Sequence, residues 1–348
     1  MRDLTAEVLG GSRRALARLL TVIENQRAGA SEALAALFPH TGRAWVIGVT
    51  GAPGTGKSSL VNALAKAYRA QGQTVAIIAV DPTSPFTGGA ILGDRIRMRD
   101  LAGDEGVFIR SMATRGSLGG LARATRDAIR VMDAAGFNIV LVETVGAGQS
   151  EVDIARAAQT TLVVEAPGLG DDVQAIKAGI LEIADVLVVN KADRPGALNT
   201  SRALKAMLDL GHPASRMSMT RHHGQLMATQ LHAVSTHNTH LWIPPVVQTV
   251  STSDEPKTAN SGIDALLTAI AAHRAYLAEA ESGVQLERQR IEIELYERLR
   301  SELMTRLLAT LPPDILATAI DQVLARQLDP QAAVAGILAV RGEYHLAD

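Results

Sequence analysis

The chain has 348 residues, of which 47% are hydrophobic and 20% charged, so it is long enough for one large or two smaller domains around a packed core. Its net charge of −2 excludes the strong basic bias of proteins that bind nucleic acid or anionic membranes, and its lack of cysteine excludes disulfides, thiolate metal sites and cysteine nucleophiles. No apolar run is long enough to span a membrane and the N-terminus lacks a signal-type apolar core, so we expect a cytoplasmic protein with neither a nucleic-acid nor a membrane partner.

The first predicted elements are helices over residues 4–38. Apolar residues recur there at helical spacing in two stripes. The stripes are Leu16, Leu19, Leu20 and Ile23, then Leu34, Leu37 and Phe38. Residues 39–43 interrupt this pattern. The apolar run 45–49 then predicts a buried strand, and a glycine-rich stretch separates it from a predicted helix over 60–70.

Strand and helix patterns alternate through the rest of the first 280 residues. The predicted strands are 75–80, 107–109, 139–142, 161–165, 186–189 and 246–250. The predicted helices are 118–134, 150–158, 173–184 and 263–281, with helices and loops over 197–243. Buried apolar strands that alternate with helices predict an α/β fold of three layers with a mainly parallel sheet. Ligands of such sheets bind at the carboxyl ends of the strands.

Residues 284–340 are predicted to be helical. Ile291, Leu295, Leu299, Leu303 and Leu307 recur every four residues. This stripe suits burial against the same chain or against a second one. Two later positions are typical of helix N-caps, Asp314 and Asp329. We therefore divide the chain into a helical extension (1–43), an α/β domain (44–281) and a helical C-terminal region (282–348).

The stretch between the first strand and its helix reads GAPGTGKS, residues 51–58, and fits the phosphate-binding pattern GxxxxGK[ST]. Its glycines let backbone N–H groups turn towards a phosphate chain, and the following helix adds its positive dipole end. Lys57 can reach the β- and γ-phosphates, and the Ser58 hydroxyl can ligate Mg²⁺. A glycine-rich turn with a purely structural role is the alternative, but it would not need a strand directly before it and a helix directly after it. The predicted nucleotide-binding residues are Gly51, Ala52, Pro53, Gly54, Thr55, Gly56, Lys57, Ser58 and Ser59.

Residues 190–193 read NKAD at the end of a predicted strand, which is the arrangement of guanine-binding proteins. The Asp193 carboxylate can accept from both N1–H and the 2-amino group of guanine, a donor pair that adenine lacks. We expect Asn190 to brace the neighbouring loops and the Lys191 stem to pack over the base. Ser251 and Thr252, which follow a later strand, would add backbone contacts to the base.

Residues 143–146 read ETVG at the end of the strand 139–142, where GTPases place DxxG. We expect Glu143 to hold Mg²⁺ and the N–H of Gly146 to sense the γ-phosphate. Asp81, at the end of another strand, and Asp94 are further candidate ligands because Mg²⁺ accepts several carboxylates and waters. Alternatively, Asp81 caps a turn before a proline and Asp94 is solvated. Catalysis is thus assigned to Lys57, Ser58, Glu143 and Gly146, and metal binding to Ser58, Asp81, Asp94 and Glu143.

Six stretches of the sequence, taken together, match the motifs of one protein family. They read GVTGAPGTGKS (48–58), VDPTS (80–84), GAILGDRIRM (89–98), GSLGG (116–120), ETVGAGQSE (143–151) and PGLGDDVQAIK (167–177). Together they resemble the MeaB/ArgK family, the methylmalonyl-CoA mutase-associated GTPases, from about residue 12 to about residue 310. The sequence departs from the family pattern at Arg95-Ile96, where the family has Lys-Thr, and in the longer stretch SDEPKTANSG after Thr252.

The resemblance implies a P-loop NTPase fold with a helical N-terminal extension and a C-terminal helical dimerisation arm. It implies that the chain binds GTP and GDP with Mg²⁺ and hydrolyses GTP. It also implies a homodimer that accompanies an adenosylcobalamin-dependent acyl-CoA mutase, gates cofactor delivery and protects the mutase. Methylmalonyl-CoA mutase is the expected partner, with isobutyryl-CoA and related mutases as alternatives. Residues 82–100, 144–157 and 167–177 would be the mobile loops.

Three alternative functions remain open from the sequence. A nickel or zinc metallochaperone GTPase is one, because six of the nine histidines lie between residues 212 and 240. A small-molecule kinase is another, although no acceptor pocket or base is evident. The third is a nucleotide-dependent binding module with negligible turnover. Since no glutamine directly follows Gly146, we expect slow intrinsic hydrolysis that a partner stimulates.

Overall fold

The computed structural model describes residues 1–82, 99–101, 103–114, 120–144, 154–168, 182–210, 218–222, 225–229, 242–251, 261–279 and 281–344. The chain forms two compact units, Met1–Ala280 and Glu281–Asp348. The predicted sites Asp94, Gly146 and Thr252 lie outside the described residues, as does most of the histidine-rich stretch 212–240.

The N-terminal residues fold into three helices, α1 (Arg2–Leu9), α2 (Arg13–Glu24) and α3 (Ala30–Leu37). The Ser12 hydroxyl caps α2 by accepting a hydrogen bond from the backbone N–H of Ala15 at 3.3 Å. The predicted stripe of four apolar residues on α2 is buried, and the helices pack on one another. Most of this extension is thus helical, as the sequence predicts.

A seven-stranded sheet forms the centre of the first unit. Its strands are β1 (Trp45–Thr50), β2 (Val75–Pro82), β3 (Val107–Thr114), β4 (Ile139–Thr144), β5 (Thr160–Glu165), β6 (Val186–Asn190) and β9 (Val246–Thr249). Their order is β3-β2-β4-β1-β5-β6-β9, and every neighbouring pair is parallel. The predicted parallel α/β sheet is therefore confirmed, and all its carboxyl ends lie along one edge.

Helices cover both faces of this sheet. They are α4 (Lys57–Ala70), α5 (Gly120–Ala134), α6 (Ala197–Leu210) and α7 (Ile263–Glu279). On one face, α4 and α7 bury Leu60 and Leu266 against Ile47 of β1. On the other, α5 and the N-terminal helices bury Met132 and Leu19. Alternate strand residues thus supply two apolar cores, which explains why the strands are continuous apolar runs.

Polar contacts help to anchor the N-terminal extension to the α/β layers. The carboxylate of Asp133 on α5 accepts hydrogen bonds from the backbone N–H groups of Arg43 at 3.1 Å and Ala44 at 2.9 Å. On α2, Glu24 forms an ion pair with Arg110 of β3. The extension therefore packs as part of the first compact unit.

The prediction of helices and loops over 197–243 is partly wrong. Helix α6 occupies its beginning, but β7 (Ser218–His222) and β8 (Gln225–Thr229) form an antiparallel pair. Only His223 and Gly224 lie between these strands in the sequence. A two-residue connection that contains glycine is typical of tight hairpins, so the sequence does carry a signal for this strand pair.

The second unit is helical, as predicted, with α8 (Glu281–Thr310), α9 (Ile315–Leu324) and α10 (Pro330–Tyr344). The Asp329 carboxylate caps α10 by accepting from the N–H groups of Gln331 and Ala332, whereas the Asp314 side chain makes no capping bond. No single helix in the described ranges is long and apolar enough to cross a membrane. One pair bent by 96°, residues 283–310 with 315–324, passes that test of length and composition when taken together.

Candidate functional site

The phosphate-binding loop lies between β1 and α4 and depends on glycine backbone conformations. Gly51, Gly54 and Gly56 have φ angles of 138°, 84° and 90°, a region that residues with a Cβ rarely adopt. A Cβ on Gly51 would overlap the carbonyl oxygen of Val164 in β5. A Cβ on Gly56 would lie 2.5 Å from the side-chain nitrogen of Asn190. The loop is therefore packed tightly against the ends of two other strands.

Lys57, the first residue of α4, folds back over this loop. Its side chain is only 6% exposed. Its Nζ donates hydrogen bonds to the carbonyl oxygens of Gly51 at 2.8 Å and Ala52 at 3.0 Å. The ammonium group thus lies at the loop itself, where its charge is available to phosphates.

Ser58 and Glu143 meet although 85 residues separate them in the sequence. The Ser58 hydroxyl donates a hydrogen bond of 2.6 Å to Oε1 of Glu143, whose side chain is 6% exposed. Asp81 lies near the end of β2, next to β4, where Val80 is in register with Thr144. A hydroxyl and a carboxylate are the oxygen donors that Mg²⁺ prefers, so this pair fits the predicted metal site.

Asn190, at the end of β6, connects the predicted base loop to the phosphate loop. Its Nδ2 donates to the carbonyl oxygens of Thr55 at 2.9 Å and Gly56 at 3.4 Å. Its Oδ1 accepts from the hydroxyls of Thr249 at 3.1 Å and Ser251 at 3.0 Å. Every polar atom of this buried amide group therefore has a partner, and the side chain spans the ends of β6 and β9.

The next residues of the NKAD stretch leave the sheet towards solvent. Lys191 has a φ of 56°, and its Nζ donates to the carbonyl oxygen of Gly54 at 2.6 Å. The backbone N–H of Ala192 donates to the Thr249 carbonyl at 3.0 Å. Asp193 is exposed. The predicted base-recognition and phosphate-binding residues thus lie at one edge of the sheet and are tied together by side chains.

Sequence reasoning missed three threonines of this edge. Thr249 supports Asn190, while Thr50 and Thr144 hydrogen-bond to each other at the ends of β1 and β4. Thr144 lies within the ETVG stretch and Thr50 directly precedes the phosphate-binding loop, but neither motif assigns these threonines a role of their own. Their one available signal is position, since each is a polar residue at the end of an apolar strand.

Comparison with known proteins decides the family. The model of the family described as "Methylmalonyl Co-A mutase-associated GTPase MeaB" matches residues 16–311. The chain belongs to the MeaB family. Within it, the chain is 48% identical over 293 residues to a GTPase of Pyrococcus abyssi, covering 84% of this chain and 82% of that one.

A second relative is the GTPase ArgK of Escherichia coli, 43% identical over 197 residues that cover 56% of this chain and 60% of ArgK. Among solved structures, one titled a LAO/AO transport system kinase superposes with a TM-score of 0.67 and 26% identity over 98% of this chain and 97% of that one. The MeaB-family chain is therefore a GTPase with a P-loop NTPase fold, and it binds guanine nucleotide.

Proposed function

We propose that this MeaB-family chain is a Mg²⁺-dependent GTPase that acts in the cytoplasm as chaperone of an adenosylcobalamin-dependent acyl-CoA mutase. It would gate cofactor loading and protect the mutase, with methylmalonyl-CoA mutase as the partner tested first. The family's name supports the mutase association. The observation that carries the enzymatic part is the Ser58–Glu143 hydrogen bond, which joins the phosphate loop to the ETVG strand.

The residues would act as follows. Ser58 and Glu143 would hold Mg²⁺ together with Asp81 and Asp94, and the ion would neutralise phosphate charge. Lys57 and the loop N–H groups would stabilise the charge that develops on the γ-phosphate during in-line attack by water. Asp193 and the backbone near Ser251 would select guanine. Intrinsic turnover would be slow because no glutamine directly follows ETVG.

Hydrolysis and its stimulation are tested in one assay. Phosphate release from GTP is measured for the purified chain alone and with a methylmalonyl-CoA mutase, with Lys57→Ala as the inactive control. We expect slow release that rises at least tenfold with the mutase, and none above background for Lys57→Ala. Fast turnover that the mutase leaves unchanged would contradict the proposal. A phosphorylated acceptor without free phosphate would favour the kinase alternative instead.

The partner itself is tested by capture from cell extract. The chain is immobilised with a non-hydrolysable GTP analogue, and Asp193→Asn, which is expected to bind that analogue poorly, serves as the matched control. We expect a cobalamin-dependent mutase to be retained by the wild-type chain and not by the variant. Retention of a nickel or zinc enzyme in its place would support the metallochaperone alternative. In the part of the chain that the structure describes, no three histidine or acidic side chains cluster for a metal ion.

We also propose that two copies of the chain form a homodimer through the second compact unit, Glu281–Asp348. On α8, four side chains of the predicted stripe are half exposed or more: Ile291, Leu295, Leu299 and Leu303. Further exposed apolar residues continue along α9 and α10, among them Ile320, Leu324 and Leu338. Apolar exposure on this scale is typical of a surface that another protein covers. A second copy of the same unit would offer a matching apolar surface.

A further inference from the structure

Two threonines at the ends of neighbouring strands share a hydrogen bond that no motif predicts. The hydroxyl of Thr144 donates to the hydroxyl oxygen of Thr50 across 3.1 Å. Both side chains are fully buried, at 0% exposure. A buried hydroxyl costs free energy unless it is paired, so separating these two side chains would be unfavourable.

The strand register explains why the two residues meet. Strands β1 and β4 are parallel, and their last register pair is Val49 with Glu143. Thr50 and Thr144 are each the next residue along. Because side chains alternate between the faces of a sheet, Thr144 and Glu143 point to opposite faces.

The packing is consistent with that alternation. Val49 and Leu141 belong to the apolar core that contains α4 residues, and Glu143 on the same face reaches Ser58 of α4. Val142 belongs to the core on the other face, which is where Thr144 meets Thr50. Two consecutive residues therefore hold the end of β4 from both faces of the sheet. One bond goes to the helix after the phosphate loop and the other to the residue before that loop.

We propose that Thr50 and Thr144 are positioning residues of the GTPase site. Their hydrogen bond fixes the end of β4 against the start of the phosphate loop, so that the Glu143 carboxylate stays at the Ser58 hydroxyl. Neither threonine needs to touch nucleotide for this role. The inference rests on the proposed Mg²⁺-dependent hydrolysis, because the Ser58–Glu143 pair is the proposed metal site.

The test compares Thr50→Val, Thr144→Val, the double valine variant and the two serine variants. Valine keeps the size of threonine without its hydroxyl, and serine keeps the hydroxyl. For each variant, kcat and KM for GTP, the Mg²⁺ concentration that gives half-maximal turnover and the midpoint of thermal unfolding are measured.

We expect each single valine variant to lower kcat about tenfold, the effect of losing one well-placed hydrogen bond. The Mg²⁺ requirement should rise several-fold, while KM for GTP stays within about twofold because the phosphate-loop contacts remain. Both serine variants should stay within about twofold of wild type in every measurement. The double valine variant should regain the unfolding midpoint lost in the single variants, since no buried hydroxyl is left unpaired, and yet keep the low kcat.

Three results would overturn the inference. One is a double valine variant with wild-type kcat and Mg²⁺ requirement. Another is serine variants as impaired as valine variants, since methyl packing would then be what matters. The third concerns a Ser58→Ala variant, which already lacks the Ser58–Glu143 hydrogen bond. If adding Thr144→Val to it lowered kcat by a further tenfold, the threonine would not act through that bond. A wild-type chain that does not hydrolyse GTP with Mg²⁺ would instead refute the proposed function.

Discussion

The side-chain amide of Asn190 donates a hydrogen bond of 2.9 Å to the carbonyl oxygen of Thr55, 135 residues earlier in the chain. This contact joins the loop expected to recognise guanine to the loop expected to bind phosphates. Lys191 adds a second connection through the Gly54 carbonyl. Because both loops are expected to contact the same nucleotide, the distance between them must match its length. We infer that these bonds set that distance before the ligand arrives, which reduces the ordering required for binding.

Asn190→Ala should therefore weaken both the fold and GTP binding. The carbonyl of Thr55 and the hydroxyls of Thr249 and Ser251 would lose a buried partner, so we expect the free energy of unfolding to fall by about 2–4 kcal/mol. GTP affinity should fall more than tenfold. Urea denaturation and nucleotide titration measure the two effects. Asn199→Ala, an exposed asparagine on α6, is the control and should change neither. Unchanged GTP affinity in Asn190→Ala would contradict the bridging role.

Asp193→Asn tests base recognition without disturbing the fold, because Asp193 is exposed. An amide cannot accept from both guanine donors, so GTP affinity should fall by about a hundredfold or more. Xanthosine triphosphate, which has a carbonyl group in place of the 2-amino group, should bind the variant better than the wild-type chain. Competition titrations with GTP, ATP and xanthosine triphosphate measure this exchange. If the variant kept wild-type GTP affinity, the assignment of NKAD to guanine would be wrong.

The sequence predicted the parts of the site that depend on local chemistry. Lys57 and Ser58 follow from one eight-residue pattern, and Glu143 follows from its place at a strand end, since parallel strands bring their carboxyl ends to one edge. The Thr50–Thr144 bond was not predictable in this way. It depends on which strands are neighbours and in what register, and the order β3-β2-β4-β1-β5-β6-β9 is a property of the whole fold. Hydroxyl residues also occur at many positions for unrelated reasons.

Gly51→Ala should lower the free energy of unfolding more than the same substitution at a glycine that has open space around it. Both Gly51 and Gly72 have positive φ angles, 138° and 77°. At Gly72 an added Cβ meets nothing within 4 Å, so Gly72→Ala should cost only backbone strain of about 1–2 kcal/mol. At Gly51 the Cβ would overlap the Val164 carbonyl, so the loss of unfolding free energy should be at least twice as large. Equal losses in urea denaturation would show that the loop can move away from β5.

Asp104→Asn should show a stability effect that depends on pH. Arg69 donates two hydrogen bonds of 2.9 Å to this carboxylate and, together with a bond from the Gly106 N–H, lowers the pKa of Asp104 below its ordinary value. A folded-state pKa below the unfolded one stabilises the fold above the unfolded pKa, about 3.9, and the contribution is lost as pH falls through the folded pKa. The variant should thus be less stable than wild type at pH 7.

That difference should shrink as the pH falls below the unfolded pKa of about 3.9, because the unfolded wild-type chain then takes up a proton that the folded carboxylate resists. Glu105→Gln is the control, since it removes a neighbouring exposed carboxylate and should produce no comparable effect at pH 7. A difference between Asp104→Asn and wild type that stays constant from pH 7 to pH 3 would show that the Arg69–Asp104 pair does not contribute through its charge.

Leu295→Glu with Leu299→Glu tests the proposed dimer. These side chains are 62% and 55% exposed, so charging them should leave the helicity of the single chain unchanged. If they are buried against a second copy, two desolvated carboxylates on each chain would oppose association. In sedimentation experiments the wild type should have about twice the chain mass of 36.7 kDa, and the variant the mass of one chain. Arg300→Glu, an exposed charge change on the same helix, should remain dimeric. A monomeric wild type, or a double glutamate variant that stays dimeric, would place any self-association elsewhere on the molecule.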